Sequence, residues 1–464
     1  MTVRIIQRTL ALFAAAAACI AAVNAFAAAS EAVERTLSNG MRVIVKPDHR
    51  APVVVSMVWY RVGSVDEVNG ATGVAHVLEH MMFKGTKEVP SGEFSRIIAA
   101  AGGRENAFTG RDYTGYFQTL HKSQLPLALR LEADRMANLV LSDEEFKREV
   151  RVVMEERRWR TDDRPRALVY ERLMASALIA HPYRHPVIGW MSDIENMRID
   201  DARLFYESWY APNNAILVVV GDVEPDGVYA LAEKHFGKLK PKALPARKPQ
   251  EEPPQLGLKR LTVRAPAELP YVLMAYRVPA LRDPQQEWEP YALEMLANVL
   301  DGNDASRFPR TLVRTERIAN SAGASYDGIG RGPAMFYLEG VPSDGKSVAQ
   351  LEEALRREVR KVAEEGVSED ELKRIRAQAV AAHVYQRDSM FFQARQMGSM
   401  EIAGLSYRTP DVILEKLKQV TSAQVQEVAR KYFGDDQLTV AYLDPQPLAG
   451  RKAFAPPPGA RHAR

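Results

Sequence analysis

The stretch TGVAHVLEHMMF occupies residues 72–83 and predicts an amphipathic helix. His76 and His80 are four residues apart, so on a helix they project from one face about one turn apart. Glu79 lies at the edge of that face, where its carboxylate can reach a water beside a metal without being a ligand. The order H-x-x-E-H reverses the zinc-binding H-E-x-x-H motif and predicts a metal site. A surface cluster or a hydrogen-bonded core group remains the alternative.

A third ligand is needed, because a catalytic zinc site typically has three protein ligands and an open position. The candidates lie on a second amphipathic pattern, Asp143 to Arg160. There Glu149 and Glu156 are seven residues apart and share a helix face. Spacing alone does not choose Glu156 over Glu155. The glutamates Glu144, Glu145 and Glu155 of the same stretch fit a solvated helix face better than a metal site.

The proline-rich, charged segment KLKPKALPARKPQEEPPQ, residues 238–255, divides the chain almost equally. The two halves have similar orders of elements, which indicates an internal duplication. A predicted strand precedes a predicted helix in each: Val53–Val62 before Thr72–Phe83, and Tyr271–Arg277 before Trp288–Leu300. We therefore expect an α+β fold of two similar domains, each a mostly antiparallel sheet with helices packed on one face.

The first 27 residues predict a cleaved signal peptide, with an apolar run from Leu10 to Val23 and a small-x-small site at Ala25-Phe26-Ala27. The only cysteine, Cys19, lies inside that run. We expect a periplasmic protein without a stable membrane anchor, with secretion as the alternative. The remaining boundaries are a zinc-binding domain at 28–237, a linker at 238–256, a second domain at 257–445 and a flexible tail at 446–464.

The charge balance argues against a nucleic-acid ligand. The chain has 62 Lys and Arg against 59 Asp and Glu, a net charge of +3. No dense basic run interleaved with aromatic residues occurs along it.

Together these residues resemble the insulinase/pitrilysin family of zinc metallopeptidases, which includes the mitochondrial processing peptidases. The resemblance rests on the H-x-x-E-H stretch and on further matches that span the first half: Phe83-Lys84-Gly85-Thr86, Asn106-Ala107-Phe108-Thr109 with Asp112 and Tyr116, the Glu149/Glu156 helix, and His181-Pro182-Tyr183 with Pro186 and Gly189.

The resemblance implies roles for individual residues. His76, His80 and Glu156 would hold one Zn²⁺, Glu79 would be the catalytic base, and Glu149 would orient a ligand histidine. An edge strand from Gly103 to Thr109 would hold an extended peptide through the backbone of Asn106 and Ala107. The expected function is hydrolysis of short or unfolded peptides by a zinc endopeptidase. The alternative is a metal-free assembly or peptide-binding subunit.

The resemblance also implies a partner. Two pairs of such domains close into a clamshell in this family, and this chain supplies one pair. The far half contributes an Arg and a Tyr seven residues apart. Here Arg314 matches the Arg, but Ser321 stands where the Tyr belongs. We therefore expect a heterodimer with a related chain that supplies both residues. A homodimer, or a role for Tyr326, remains open.

Overall fold

A computed structural model describes residues 31–448 of the chain. The predicted signal peptide, with Cys19, and the tail from residue 449 onward lie outside the described residues. No helix in the described part of the chain is long and apolar enough to cross a membrane.

From residue 31 to the linker, the first half combines six strands with eight α-helices. The strands are β1 (Val33–Thr36), β2 (Arg42–Pro47), β3 (Val53–Tyr60), β4 (Arg104–Thr109), β5 (Thr114–His121) and β6 (Ala215–Gly221). The helices are α1 (Val74–Met81), α2 (Glu93–Ala100), α3 (Leu125–Asn138), α4 (Asp143–Arg157), α5 (Pro165–Ala177), α6 (Met191–Asn196), α7 (Ile199–Trp209) and α8 (Pro225–Phe236). A wider π-helical turn, Arg158–Asp162, continues α4.

Up to residue 448, the second half repeats this plan with five strands and six α-helices. The strands are β7 (Lys259–Pro266), β8 (Tyr271–Val278), β9 (Ala319–Asp327), β10 (Ala334–Pro342) and β11 (Leu438–Gln446). The helices are α9 (Glu289–Asp301), α10 (Val348–Glu365), α11 (Glu369–Gln386), α12 (Met390–Ile402), α13 (Thr409–Gln419) and α14 (Ser422–Tyr432). A π-helical segment, Phe308–Thr315, precedes β9.

The strand orders of the two sheets correspond. The first sheet runs β1-β2-β6-β3-β5-β4, and the second runs β7-β11-β8-β10-β9. Each sheet has one parallel pair, β2 with β6 and β7 with β11. The other neighbours are antiparallel. Without the edge strand β1 the two orders are the same, as the predicted duplication requires. The α+β fold of two similar domains is thus confirmed.

The expectation of helices on one sheet face only is wrong. One face of the first sheet packs on helices of its own half. The opposite face, with Met57, Trp59 and Val218, packs against Ala394 and Met397 of α12, which belongs to the second half. The physical reason is visible in β3, whose residues from Val54 to Tyr60 are all buried. A strand that is buried on both faces needs cover on both faces.

The second sheet receives the reciprocal cover. Val169 and Leu173 of α5, a helix of the first half, pack against Leu273 and Ala441 of the second sheet. Each half therefore contributes a helix to the outer face of the other sheet. Apolar side chains of the two halves therefore pack against each other in two places. This packing joins the halves into one body.

The predicted linker is neither helical nor extended into a sheet, but it is tied to both halves. The Glu252 carboxylate accepts hydrogen bonds from the backbone N–H groups of residues 179–181 at 2.8–2.9 Å. Arg247 donates to Asp66 at 2.6 Å, and Gln255 donates to the Leu438 carbonyl at 2.6 Å. At the other boundary, Gln446 lies inside β11, one residue beyond the predicted domain end.

Candidate metal centre

Helix α1 begins at a closely packed turn. Gly73 has φ +90°, and a Cβ there would lie 2.5 Å from the Ile188 carbonyl oxygen. Only glycine fits this backbone without strain and without a clash. The carboxylate of Glu67 accepts hydrogen bonds from the N–H groups of Gly73 (2.8 Å) and Ala75 (2.9 Å), which have no partner within the helix. These contacts fix the start of α1 and so the positions of its polar side chains.

The two histidines of α1 face Glu156 of α4. Nε2 of His76 lies 3.7 Å and Nε2 of His80 lies 3.4 Å from Oε2 of Glu156. One potential ligand atom from each of the three residues lies within 4.8 Å of the others. Bonds of about 2.1 Å to a tetrahedral zinc place ligand atoms roughly 3.4 Å apart, so the spacing fits zinc. Glu155 is 72% exposed and pairs with Arg158, so geometry separates the two glutamates where spacing did not.

Glu149 lies behind His80 as the resemblance implied. Its Oε2 is 3.1 Å from Nδ1 of His80, and its Oε1 is 2.6 Å from Nζ of Lys84. A carboxylate on the outer nitrogen fixes the ring and leaves Nε2 free for a metal that these residues would hold. His76 differs, because its Nδ1 is buried with no hydrogen-bond partner among the described residues. Lys84 was not predicted in this role, since nothing in its local sequence indicates a contact with α4.

The electrostatics of the three facing residues suit a cation. Burial lowers the pKa of His76 to about 3, and the neighbouring His80 acts in the same direction. Burial also opposes the charged form of His80, but the carboxylates of Glu149 and Glu156 outweigh it and raise its pKa to about 9. For Glu156 burial is outweighed by the histidines and Arg160, which hold its pKa at about 2. His76 is therefore neutral and Glu156 is ionised near pH 7, the states in which both side chains can bind a cation.

Glu79 lies beside this group and not in it. Its Oε2 accepts a hydrogen bond of 2.5 Å from Oγ1 of Thr109, at the end of β4. Burial raises the pKa of Glu79, and the bond from Thr109 partly offsets that effect. A buried carboxylate with a raised pKa and one fixed oxygen is suited to take up and release a proton. The sequence did not reveal Thr109 as its partner, because the two residues are thirty positions apart.

One cavity of about 500 Å³ is lined by His76, Glu79, His80, Thr109 and Glu156. One wall is β4, which lies at the edge of the first sheet opposite β1. The opposite wall comes from α5 and from residues 183–188. Asn106 and Ala107 lie on the β4 wall, and the Asn106 amide oxygen accepts a hydrogen bond from the Ala107 N–H at 2.9 Å. A peptide that pairs with that N–H must displace this side chain.

The second-half residues compared with the family's Arg and Tyr, which are Arg314, Ser321 and Tyr326, do not line this cavity. Arg314 donates to the carbonyl of Asp304 within its own half. Ser321 lies on β9, the edge strand of the second sheet, and is exposed. The Tyr326 hydroxyl donates to the carbonyl of Pro279, and its ring packs against the second core. In this chain Tyr326 is therefore occupied in a structural contact.

Known proteins match both halves of the chain. Residues 42–189 match the family described as Insulinase (Peptidase family M16), and residues 196–379 match the one described as Peptidase M16 inactive domain. The chain belongs to the M16 peptidase family. "Zinc protease PqqE" of Helicobacter pylori is 33% identical over 427 residues, covering 88% of this chain and 92% of that protein. The similarity to proteins named zinc proteases agrees with the expected peptidase class.

Solved structures give the same fold. A protease from Helicobacter pylori superposes with a TM-score of 0.85 at 31% identity, covering 90% of this chain and 100% of that chain. The periplasmic protease PqqL from Escherichia coli superposes with a TM-score of 0.77 at 20% identity, which shows a shared fold. That alignment covers 92% of this chain but 49% of PqqL.

Proposed function

We propose that this chain is a zinc-dependent endopeptidase that hydrolyses short or unfolded peptides. The observation that carries the proposal is the convergence of His76, His80 and Glu156 at zinc-ligand spacing, with Glu79 beside them in the same cavity. A zinc ion held there would act as a Lewis acid on the scissile carbonyl and lower the pKa of water.

The chain's own residues would supply the remaining chemistry. Glu79 takes a proton from the attacking water as the water oxygen bonds to the carbonyl carbon. It returns that proton to the leaving nitrogen as the C–N bond breaks. Thr109 holds one oxygen of Glu79 during both transfers. The free edge of β4 pairs with the peptide backbone, so extended chains fit and folded ones do not.

We further propose that the active assembly contains a second chain of related fold. The absence of a tyrosine at Ser321 and the structural use of Tyr326 both support a partner that supplies the Arg and Tyr. The match to 49% of PqqL supports an assembly twice the size of this chain. Native mass spectrometry after purification from the host would detect the partner. A fully active monomer would contradict this part of the proposal.

The proposed location is the periplasm. The support is the predicted signal peptide at residues 1–27, together with the periplasmic origin stated for the structural relative PqqL. Cell fractionation and the intact mass of the exported protein test it. A product that retains Met1 in the cytoplasm would contradict it.

The activity is tested by zinc content and peptide hydrolysis of the purified assembly, with wild type compared to Glu79→Gln. We expect zinc to be retained in the variant and kcat to fall by about 10²–10⁴. Removal of zinc by a chelator abolishes hydrolysis, and added zinc restores it. Equal hydrolysis by Glu79→Gln would eliminate Glu79 as the base.

A further inference from the structure

Arg111 lies at the tip of the hairpin between β4 and β5, where its backbone is fixed. The Gly110 and Arg111 carbonyls accept hydrogen bonds from the N–H groups of Ser64 (3.2 Å) and Val65 (2.9 Å). Gly63 is packed against the same turn, since a Cβ there would lie 2.6 Å from the Arg111 carbonyl oxygen. The hairpin tip therefore holds the Arg111 side chain at a defined place in the cavity wall.

The guanidinium of Arg111 is held mainly by aromatic groups. It donates a hydrogen bond of 2.5 Å to the hydroxyl of Tyr170, and its Cζ lies 4.9 Å from the ring centroid of Tyr183. Its side chain is 19% exposed. Within residues 31–448 its nearest carboxylate is Asp327, at 3.6 Å and without a hydrogen bond. Because a guanidinium carries five N–H donors, several remain for a molecule in the cavity.

Among the described residues, the one carboxylate close to Arg111, that of the exposed Asp327, lies outside the cavity. The carboxylates of Glu79 and Glu156 lie beside His76 and His80. The third cavity carboxylate, Glu171, is bound by two bonds from the buried Arg157. Asp327 lines the adjoining groove and not this cavity. The cavity wall away from His76 and His80 therefore carries the basic side chains of Arg111 and Arg184, whereas Arg160 pairs with Glu156 at 2.9 Å.

We propose that Arg111 binds a carboxylate of the peptide substrate, so that the enzyme selects acidic peptides. The proposal rests on the peptidase activity proposed above. An arginine fork binds a carboxylate through two parallel charge-assisted hydrogen bonds, and its partner here would come from an Asp or Glu side chain or from the peptide's own C-terminus.

The location of Arg111 determines how far from the cleaved bond the recognised carboxylate of the peptide lies. Thr109, which holds the catalytic base, precedes Arg111 by two residues. A peptide paired with β4 advances about 3.3 Å per residue. The recognised carboxylate therefore lies within about three residues of the cleaved bond.

The test uses the zinc-loaded full chain in its assembly and unstructured fluorogenic peptides that differ only in Asp or Asn at one position. The position is scanned over three residues on each side of the cleaved bond. At one position we expect kcat/KM for Asp to exceed that for Asn about tenfold, as for a charge-assisted hydrogen bond. In Arg111→Met that ratio falls to about 1, and in Arg111→Glu a Lys peptide is preferred. The alternative source of the carboxylate is the C-terminus of the peptide. It is tested by comparing peptides that end in a free carboxylate with the same peptides that end in an amide.

The matched control is Arg151→Met, because Arg151 is exposed on α4 and donates to the Lys147 carbonyl outside the cavity. The Arg151→Met variant should keep the wild-type ratio of kcat/KM for the Asp peptide to kcat/KM for the Asn peptide. Arg111→Lys, which keeps the charge without the fork, should give an intermediate ratio if the Met variant does not fold. A ratio that is the same in wild type and in the Arg111 variants overturns the proposal.

Binding separates this result from a failure of the proposed function. The same peptide pairs are titrated against Glu79→Gln, with and without Arg111→Met, by fluorescence anisotropy. If wild type hydrolyses no peptide, the peptidase proposal fails, and the ratio of Asp to Asn affinities still decides the role of Arg111.

Discussion

Helices α1 and α9 occupy the same place in the two halves, but their polar residues differ. Each follows the central strand of its sheet, β3 or β8. Helix α1 carries His76, Glu79 and His80, whereas the sequence of α9, EPYALEMLANVLD, contains no histidine. The two halves therefore have the same scaffold because their strand order and apolar packing are alike. A few polar side chains then decide whether a half can hold a metal.

The buried carboxylates of the two helices sharpen this difference. Burial raises the pKa of Glu294 in α9, as it does that of Glu79 in α1. Glu294 receives a hydrogen bond from Asn298 of its own helix. Glu79 instead lies beside two histidines and Glu156. A buried acid is thus common to both halves, but only in the first does it lie next to potential metal ligands.

The largest expected effect is on zinc content. His80→Ala removes one of three ligands and should take the protein from one zinc per chain to none, because two ligands do not hold a catalytic zinc firmly. The matched change in the second half, Asn298→Ala, should leave zinc content unchanged. Elemental analysis after dialysis measures both. Zinc retained by His80→Ala would mean that the metal binds elsewhere.

The second prediction concerns the group behind the ligands. Glu149→Gln should weaken zinc affinity by about 10- to 100-fold, since the amide is a poorer acceptor for the His80 N–H and leaves Lys84 without its ion pair. Glu155→Gln on the same helix is the control, because Glu155 is exposed and pairs with Arg158. Competition with a chelator gives both affinities. Equal values would show that Glu149 does not support zinc binding through His80.

The third prediction tests the exchange of helices between the halves. A Cβ at Gly398 of α12 would lie 2.1 Å from Cε2 of Trp59 in the first sheet. Gly398→Ala should therefore destabilise the protein by about 1–3 kcal/mol, although alanine favours a helix. Urea unfolding measures the change. Adding Trp59→Phe makes room, so the two changes should be strongly non-additive; simple additivity would show that the contact is not tight.

Much of the fold follows from the sequence where one periodicity dominates. Helices α1 and α4 end within a few residues of the predicted positions, because α1 has a clear apolar face and α4 begins at a serine cap. Helix α12 was not predicted. Its sequence MFFQARQMGSMEI has no single apolar face, and the strands that it packs on, β3 and β6, lie in the other half of the chain. Local patterns do not encode such a long-range contact.

The candidate site also has one part that the local sequence predicts and another part that depends on the tertiary structure. The pair His76 and His80 is a local pattern on one helix, so spacing predicted it. The choice of Glu156 over Glu155 depends on the rotation of α4 against α1, which spacing does not give. Thr109 and Arg111 act from a hairpin whose distance from α1 is set by the sheet. Their roles required the tertiary structure.

The smallest expected effect comes from the helices that precede β6 and β11. Helix α14 begins with a capping box, in which Thr421 and Gln424 exchange hydrogen bonds. Helix α7 has half of this arrangement, because Asp201 accepts from the Arg198 N–H at 2.8 Å while the exposed Arg198 side chain offers no acceptor.

Arg198→Thr should complete the box and stabilise the protein by about 0.5–1 kcal/mol, measured by urea unfolding. Arg198→Ala, which removes the arginine without supplying an oxygen, is the control and should give no gain. In the other half Thr421→Ala should lose about 1 kcal/mol. If Arg198→Thr and Arg198→Ala were equally stable, the two helix starts would differ in more than their caps. The duplicated halves would then not be interchangeable even at this exposed position.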